Sequence, residues 1–189
     1  HLGIMDRYDP ERKVKLIVDE WGTWYHKELG SVDGFLYQQS TMADALVAAI
    51  SFDIFNARCD RISMANIAQT ANVLQAVVLT EGERMVKTPT FYAFKLYTGH
   101  MGATLLGSFA ENDNENISHT ASVNENGEVF LTISNASLDK SYEFDATVVG
   151  YETKAVNAEI ITADRLAYND FDKPEQVNIK PFDGVKVAN

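Results

Sequence analysis

VKLIVDEWGTWYH, residues 14–26, runs an apolar segment into two adjacent acids, Asp19 and Glu20, and then into Trp21, Trp24, Tyr25 and His26. Val, Leu and Ile crowd the stretch from Lys13 to Asp19 with only weak alternation, as in a parallel strand covered on both faces. Loop-forming residues follow around Gly30 to Gly34. Thr41 with Asp44 three positions later then has the spacing of a capping box, which predicts a helix start. From Met42 to Arg58 the apolar residues Met42, Leu46, Ile50 and Ile54 recur at helical spacing and predict the buried stripe. ISMANIA (62–68) is a second short strand. Strand, helix and strand at this spacing make a βαβ unit, which implies a parallel sheet.

Downstream the text changes. Thr88-Pro89 predicts a second helix start, because proline at the first helical position loses no hydrogen bond. Its aromatic run FYAFKLY (91–97) is expected to be core, with Gly99 as C-cap. From about Met101 the segments ISHTASV (117–123), EVFLTIS (128–134), YEFDATVVG (142–150) and AVNAEIITA (155–163) are short, alternating and β-branched. Turn clusters such as AENDNEN and NENG separate them. These predict an antiparallel sandwich of jelly-roll type over residues 101–189, after an α/β part over residues 1–100.

Composition narrows the partners. The chain has 189 residues and a net charge of −11, from 27 acids against 16 Lys and Arg. A nucleic-acid binder needs a basic footprint, so nucleic acid is excluded as a partner. No apolar run reaches the roughly 18 residues of a membrane helix, and no membrane partner is expected. Cys59, the lone cysteine, lies in an apolar helical run and is expected to be a buried, inert thiol. The opening HLGIMDRYDPERK has neither an initiator Met nor a signal-peptide layout, so the text is expected to be the C-terminal piece of something longer.

The chemistry is expected at the end of the first strand, because α/β folds place sites at strand C-termini. Side chains alternate along a strand, so only one of Asp19 and Glu20 can face a common site. Glu20 occupies the strand end, where an acid serves either as a catalytic carboxylate or as a salt-bridge or turn-capping group. Trp21, Trp24 and Tyr25 beside it fit a wall for stacking sugar rings, or alternatively core packing. His26 has no second His or Cys at ligand spacing, so neither a metal nor any other cofactor is expected. Acyl-transfer, phosphate-loop and dinucleotide motifs are absent from the sequence.

The runs LIVDEWGTWYH, GFLYQQSTMADALVAAISFDIFN, MANIAQTANVLQAVVLT and TPTFYAFKLYTGHMGATLL closely resemble retaining α-L-arabinofuranosidases of glycoside hydrolase family 51. The resemblance is strong over residues 12–106 and collinear through NDFDKPEQVNIKPF. It implies the last two βα units of an eight-stranded TIM barrel, ending in strands seven and eight, followed by a C-terminal β-sandwich. It implies that Glu20, in the DEW motif, is the catalytic nucleophile. Gln69, in the IAQ motif, would bond the arabinose hydroxyls, and Trp24 would stand beside the sugar. The implied activity is exo-acting release of terminal arabinofuranose from arabinan or arabinoxylan, in an enzyme that commonly forms homo-oligomers.

The chain departs from the family pattern in one respect. Retaining hydrolysis uses two carboxyl groups about 5–5.5 Å apart, and the family carries its acid/base in an Asn-Glu pair on the fourth barrel strand. No part of this chain matches that strand. Its own Asn-Glu pairs, in the run beginning at Asn112 and at Asn124-Glu125, fall in turns. The segment alone is therefore expected to be inactive. The rival expectation is a non-catalytic carbohydrate-binding or structural module, with the tail aromatics Phe109, Tyr142, Tyr151 and Phe171 placed by alternation mostly in a core.

Overall fold

The computed structural model describes residues 1–111 and 114–187, so Asn112 lies outside the described residues. In chain order the elements are α1 (Leu2–Tyr8), β1 (Leu16–Trp21), α2 (Met42–Asn56), β2 (Ile62–Ile67), β3 (Val78–Glu81), β4 (Arg84–Lys87) and α3 (Pro89–Leu96). A 3-10 turn (Tyr97–His100) follows, then β5 (Thr104–Leu106), β6 (Ile117–Val123), β7 (Val129–Asn135), β8 (Glu159–Ile160) and β9 (Lys180–Pro181). Among the described residues no helix is long and apolar enough to cross a membrane.

The βαβ unit forms. β1 and β2 pair in parallel with α2 between them in the chain. At its base, buried Arg61 bonds Asp9 at 2.8 Å, and Asp9 in turn accepts from the Lys13 and Val14 amides as the chain enters β1. Asp44 accepts from the Thr41 N–H at 2.6 Å and from the Thr41 hydroxyl at 2.9 Å, the reciprocal half of the expected capping box. The free amides of the first helical turn are met from afar: Met42 donates to the Ala167 carbonyl and Ala43 to that of Arg165.

The buried face of α2 differs from the predicted stripe. Met42 is buried, but its companions are Ala45, Ala48, Ala49 and Asp53, whereas Leu46 and Ile50 are only partly covered and Ile54 is 57% exposed. Small side chains fill this face because Ala93 of α3 and Val177 of the returning tail pack directly against it. α3 begins with Pro89 after Thr88, as expected, and its aromatics Tyr92 and Phe94 pack inward. Gly99, however, is not a left-handed C-cap. It sits inside the 3-10 turn, and a Cβ there would meet the Phe130 ring at 2.3 Å, so the position needs an absent side chain rather than an unusual φ. Cys59 is exposed, not buried, because α2 stops at Asn56 and the thiol falls in the turn before β2.

β3 and β4 form a hairpin with a two-residue Gly82–Glu83 loop, Gly82 supplying φ +59°. β5, β6 and β7 form an antiparallel sheet, and the NENG turn joins β6 to β7 as expected, with Gly127 at φ +80°. Beyond it, regular pairing is sparse. Residues 142–150 contain no strand, and within 155–163 only Glu159–Ile160 pairs, with Lys180–Pro181. Alternation gives a strand its two faces, but a strand also needs a neighbouring strand to pair its backbone, and residues 142–150 pair with none. The tail rings are correspondingly open: Phe109 is 87% exposed and Tyr151 is also exposed, while Phe171 packs on the hairpin under the Arg84 guanidinium.

Three polar connections tie these parts together. Asp53 on α2 accepts from the Tyr97 hydroxyl at 2.7 Å and from Ser118 on β6. Burial raises its carboxyl above the usual carboxylate range, against the two hydrogen bonds. His100 bridges β6 and β7 through Ser122 (2.7 Å) and Thr132 (3.1 Å). In the tail, fully buried Asn169 donates to the carbonyls of Lys87 and Val177 and accepts from the Val177 N–H, which staples residues 169–177 to the end of β4.

Candidate active site

The C-terminal end of the parallel pair gathers the three residues expected to carry chemistry. Glu20 is the penultimate residue of β1, Trp24 lies in the turn that follows, and Gln69 comes two residues after the end of β2. The two strand ends are joined: Trp21 pairs with Ile67, and the Ala68 N–H donates to the Trp21 carbonyl at 2.9 Å. Glu20 and Gln69 are both exposed, and the Trp24 ring is 66% exposed. The Ala68–Gln69 peptide is cis.

The pairing register corrects the alternation expected for the two acids. Val18 pairs with Ala65 and Trp21 with Ile67, so three β1 residues advance against two of β2. That is a bulge, and simple alternation does not hold across Asp19 and Glu20. Both acids are exposed. Bulges of this kind re-aim side chains at strand ends, where α/β folds hold their sites.

The aromatic wall divides in two. Trp21 belongs to the core: its indole meets Phe52 and Phe55 edge-on at 5.3 and 5.4 Å and stacks on Phe94 at 6.2 Å. Trp21 therefore clamps the end of β1 onto α2 and α3 and offers no sugar surface. Trp24 and Tyr25 remain open. An exposed indole beside an exposed carboxylate and an amide is a combination that can stack a sugar ring, bond its hydroxyls and present a nucleophile.

Residues absent from the sequence-based list hold the turn itself. The Gln75 amide accepts from the Thr23 N–H at 2.8 Å, and the Gln38 amide accepts from the Tyr25 N–H at 2.8 Å. The Thr23 hydroxyl donates to Asp44 at 2.6 Å. Gly22, at φ +129°, admits Gln75: a Cβ there would lie 3.0 Å from the amide oxygen. Only the YQQS and VLQA polar residues, set among apolar neighbours, hinted at buried amides.

The Alpha-L-arabinofuranosidase C-terminal domain family matches residues 19–189. An intracellular exo-alpha-L-arabinofuranosidase of Bacteroides ovatus is 43% identical over 99% of this chain, which covers 38% of that protein. An intracellular exo-alpha-(1->5)-L-arabinofuranosidase of Streptomyces lividans is 24% identical over the whole chain and 31% of its own length. Among solved structures, the GH51 arabinofuranosidase from Xanthomonas axonopodis pv. citri superposes with a TM-score of 0.89 at 38% identity, over 100% of this chain and 40% of that one. The alpha-L-arabinofuranosidase from Thermotoga maritima, at 22% identity and a TM-score of 0.79 over 96% of this chain and 42% of its own, shares the fold. The chain thus spans less than half the length of the relatives it matches.

Proposed function

We propose, because the chain belongs to the alpha-L-arabinofuranosidase C-terminal domain family and is a C-terminal part of a GH51 arabinofuranosidase, that it supplies the nucleophile side of a retaining exo-α-L-arabinofuranosidase. The observation that carries this is the convergence of Glu20, Trp24 and Gln69 at one end of the parallel pair. In this reading residues 1–100 are the last two βα units of a TIM barrel and residues 101–189 a β-sandwich. The parallel β1–β2 pair with α2, and the antiparallel β5–β6–β7 sheet after it, support that division.

The chemistry follows from a carboxylate at a strand end beside an open ring. Glu20 attacks the anomeric carbon of a terminal arabinofuranose as the glycosidic bond breaks. An acid elsewhere in the full-length enzyme protonates the leaving oxygen. The same group then takes a proton from water, which cleaves the arabinosyl ester with net retention. Trp24 stacks on the furanose face and Gln69 bonds its hydroxyls. The Asn-Glu pairs of this chain do not supply the acid: Asn124-Glu125 lies in the β6–β7 turn and Asn114-Glu115 in the turn before β6. The substrate class is arabinofuranosyl-containing oligo- and polysaccharide, and the full-length protein is a homo-oligomer.

Glu20→Ala in the full-length enzyme tests the assignment. Turnover of p-nitrophenyl α-L-arabinofuranoside should all but vanish. Azide, entering the space of the lost carboxylate, should restore part of it and give a product of inverted configuration. A variant keeping more than about a tenth of kcat, a loss under ~1.4 kcal/mol, would refute it.

A further inference from the structure

We infer that Thr23, Gln38, Asp44 and Gln75 form a positioning lattice that holds the turn between Glu20 and Trp24 in its working geometry. This rests on the reading of Glu20 as nucleophile. The Thr23 N–H, hydroxyl oxygen and carbonyl and the Tyr25 N–H are taken up by two glutamines from elsewhere in the chain. Gln75 accepts from the Thr23 N–H with its amide oxygen, and with its nitrogen it donates to the Asp44 carbonyl (2.7 Å) and the Thr90 hydroxyl (3.1 Å). Gln38 accepts from the Tyr25 N–H and donates back to the Thr23 hydroxyl oxygen (3.1 Å) and carbonyl (3.3 Å). Each amide therefore serves as acceptor and donor at once, which neither an ionised Glu nor an apolar residue of the same length can do.

Asp44 joins this lattice to the helix. One of its oxygens accepts from Thr23 and the other from Thr41 at the start of α2, so the turn and the helix N-terminus share one carboxylate. Gln75 and Asp44 are fully buried and Gln38 nearly so. The turn itself is open, with Thr23 half-buried and Tyr25 exposed, but the glutamine and aspartate ends of these bonds are out of water. Leaving one of those groups unpaired carries its desolvation cost, and the network favours one satisfied arrangement. Apolar packing would stabilise the same space with less dependence on geometry. A polar lattice used here, directly behind an exposed carboxylate and ring, fits a task of fixing position. Trp21 clamps the chain on one side of Gly22 and the lattice clamps it on the other, so Glu20 and Trp24 share one rigid frame.

The test uses the full-length enzyme, with kcat and KM measured on an aryl arabinofuranoside well below the unfolding temperature of each variant. Thr23→Val keeps the shape and removes the hydroxyl, and kcat should fall roughly tenfold or more, as expected when reacting groups are misplaced by a fraction of an ångström. Thr23→Ser, which restores the hydroxyl, should return to within about threefold of wild type. Ser118→Ala, which removes a half-buried hydroxyl bond from β6 to Asp53 that shares no partner with the lattice, should lower thermal stability and leave both constants unchanged. If Thr23→Val does not fold, Gln38→Met, of similar volume without the amide, should show the same fall. Wild-type kcat in Thr23→Val, or in Gln38→Met where that stands in, overturns the lattice's role, as does a Thr23→Ser variant as impaired as Thr23→Val. Glu20→Ala run alongside separates the two ideas: if it stays active, the nucleophile assignment has failed. If it is dead while the lattice variants are unaffected, only the positioning inference has failed.

Discussion

Gly99→Ala sets two effects of opposite sign against each other. Gly99 sits in a 3-10 turn without a positive φ, so alanine should stabilise the protein by about 0.5–1 kcal/mol by restricting the unfolded chain. Against that, the new methyl would lie 2.3, 2.7 and 2.8 Å from three atoms of the Phe130 ring, more than an ångström inside ordinary contact at the nearest. Phe130 stands on β7 with the His100 ring 6.3 Å from its own. Relief therefore requires moving a packed ring or the turn that carries His100, at about 1–3 kcal/mol. The steric cost wins on balance, for a net loss of about 0–2.5 kcal/mol centred on ~1 kcal/mol, or roughly 2–4 °C in Tm at the centre of that range for a chain of this size. The check is a double-mutant cycle by thermal unfolding. In a Phe130→Leu background the smaller side chain vacates the contested space, and Gly99→Ala should become neutral or stabilising, a coupling of about 1 kcal/mol or more. Stabilisation by Gly99→Ala in the wild-type background would show that the ring yields freely and that close packing of the turn on β7 is not what requires glycine.

Gln69→Ala in the full-length enzyme should lower kcat/KM by about 1–3 kcal/mol, the effect of leaving a sugar hydroxyl unpaired in a closed site. Unchanged kinetics with lowered Tm would make Gln69 structural. Burial holds the His100 imidazole below its usual range. A lowered folded pKa gives stability that is complete above the unfolded value near 6.5 and is lost as pH falls through it. Tm should therefore drop more between about pH 7.5 and 5.5 in the wild type than in His100→Gln, and equal drops would refute the linkage. The chain expressed alone leaves the β1–β2 pair open-edged, with Ile17, Met64, Leu29 and Phe35 exposed. It should self-associate on size-exclusion chromatography and hydrolyse no arabinofuranoside; a monodisperse monomer would contradict the first expectation and turnover abolished by Glu20→Ala the second.

What the sequence disclosed depended on whether local pattern or distant contact decided each element. The βαβ unit, the Thr41–Asp44 start of α2, the Thr88-Pro89 start of α3 and the β6–β7 hairpin rest on spacing and turn chemistry within a few residues, and they were legible. The buried face of α2 was not, because Ala45, Ala48 and Ala49 are inside only by virtue of Ala93 and Val177, which lie far along the chain. Residues 142–150 carry strand-like alternation, but alternation names faces and not partners. The β3–β4 hairpin was missed although Gly82 in a two-residue loop between VLTE and RMVK signals it. At the candidate site, Glu20, Trp24 and Gln69 came from motif resemblance, and the strand ends bring them to one edge. For Trp21 the sequence left a sugar wall and core packing both open, because adjacency to an acid says nothing about which side a ring packs on, and the ring belongs to the core. Gln38 and Gln75 left only the hint of polar residues among apolar neighbours, because their bonds to residues 23–25 span 13 to 52 positions.

The central claim is that Glu20 becomes esterified during turnover. Trapping the full-length enzyme with a slow-reacting 2-fluoro arabinofuranosyl donor, quenching in acid and mapping peptides by mass spectrometry tests it directly. The peptide containing residues 14–26 should gain the mass of one fluoro-arabinosyl group, fragmentation should place it on Glu20, and Glu20→Ala should abolish it. Labelling of any other carboxylate with the Glu20 peptide unmodified would contradict the claim.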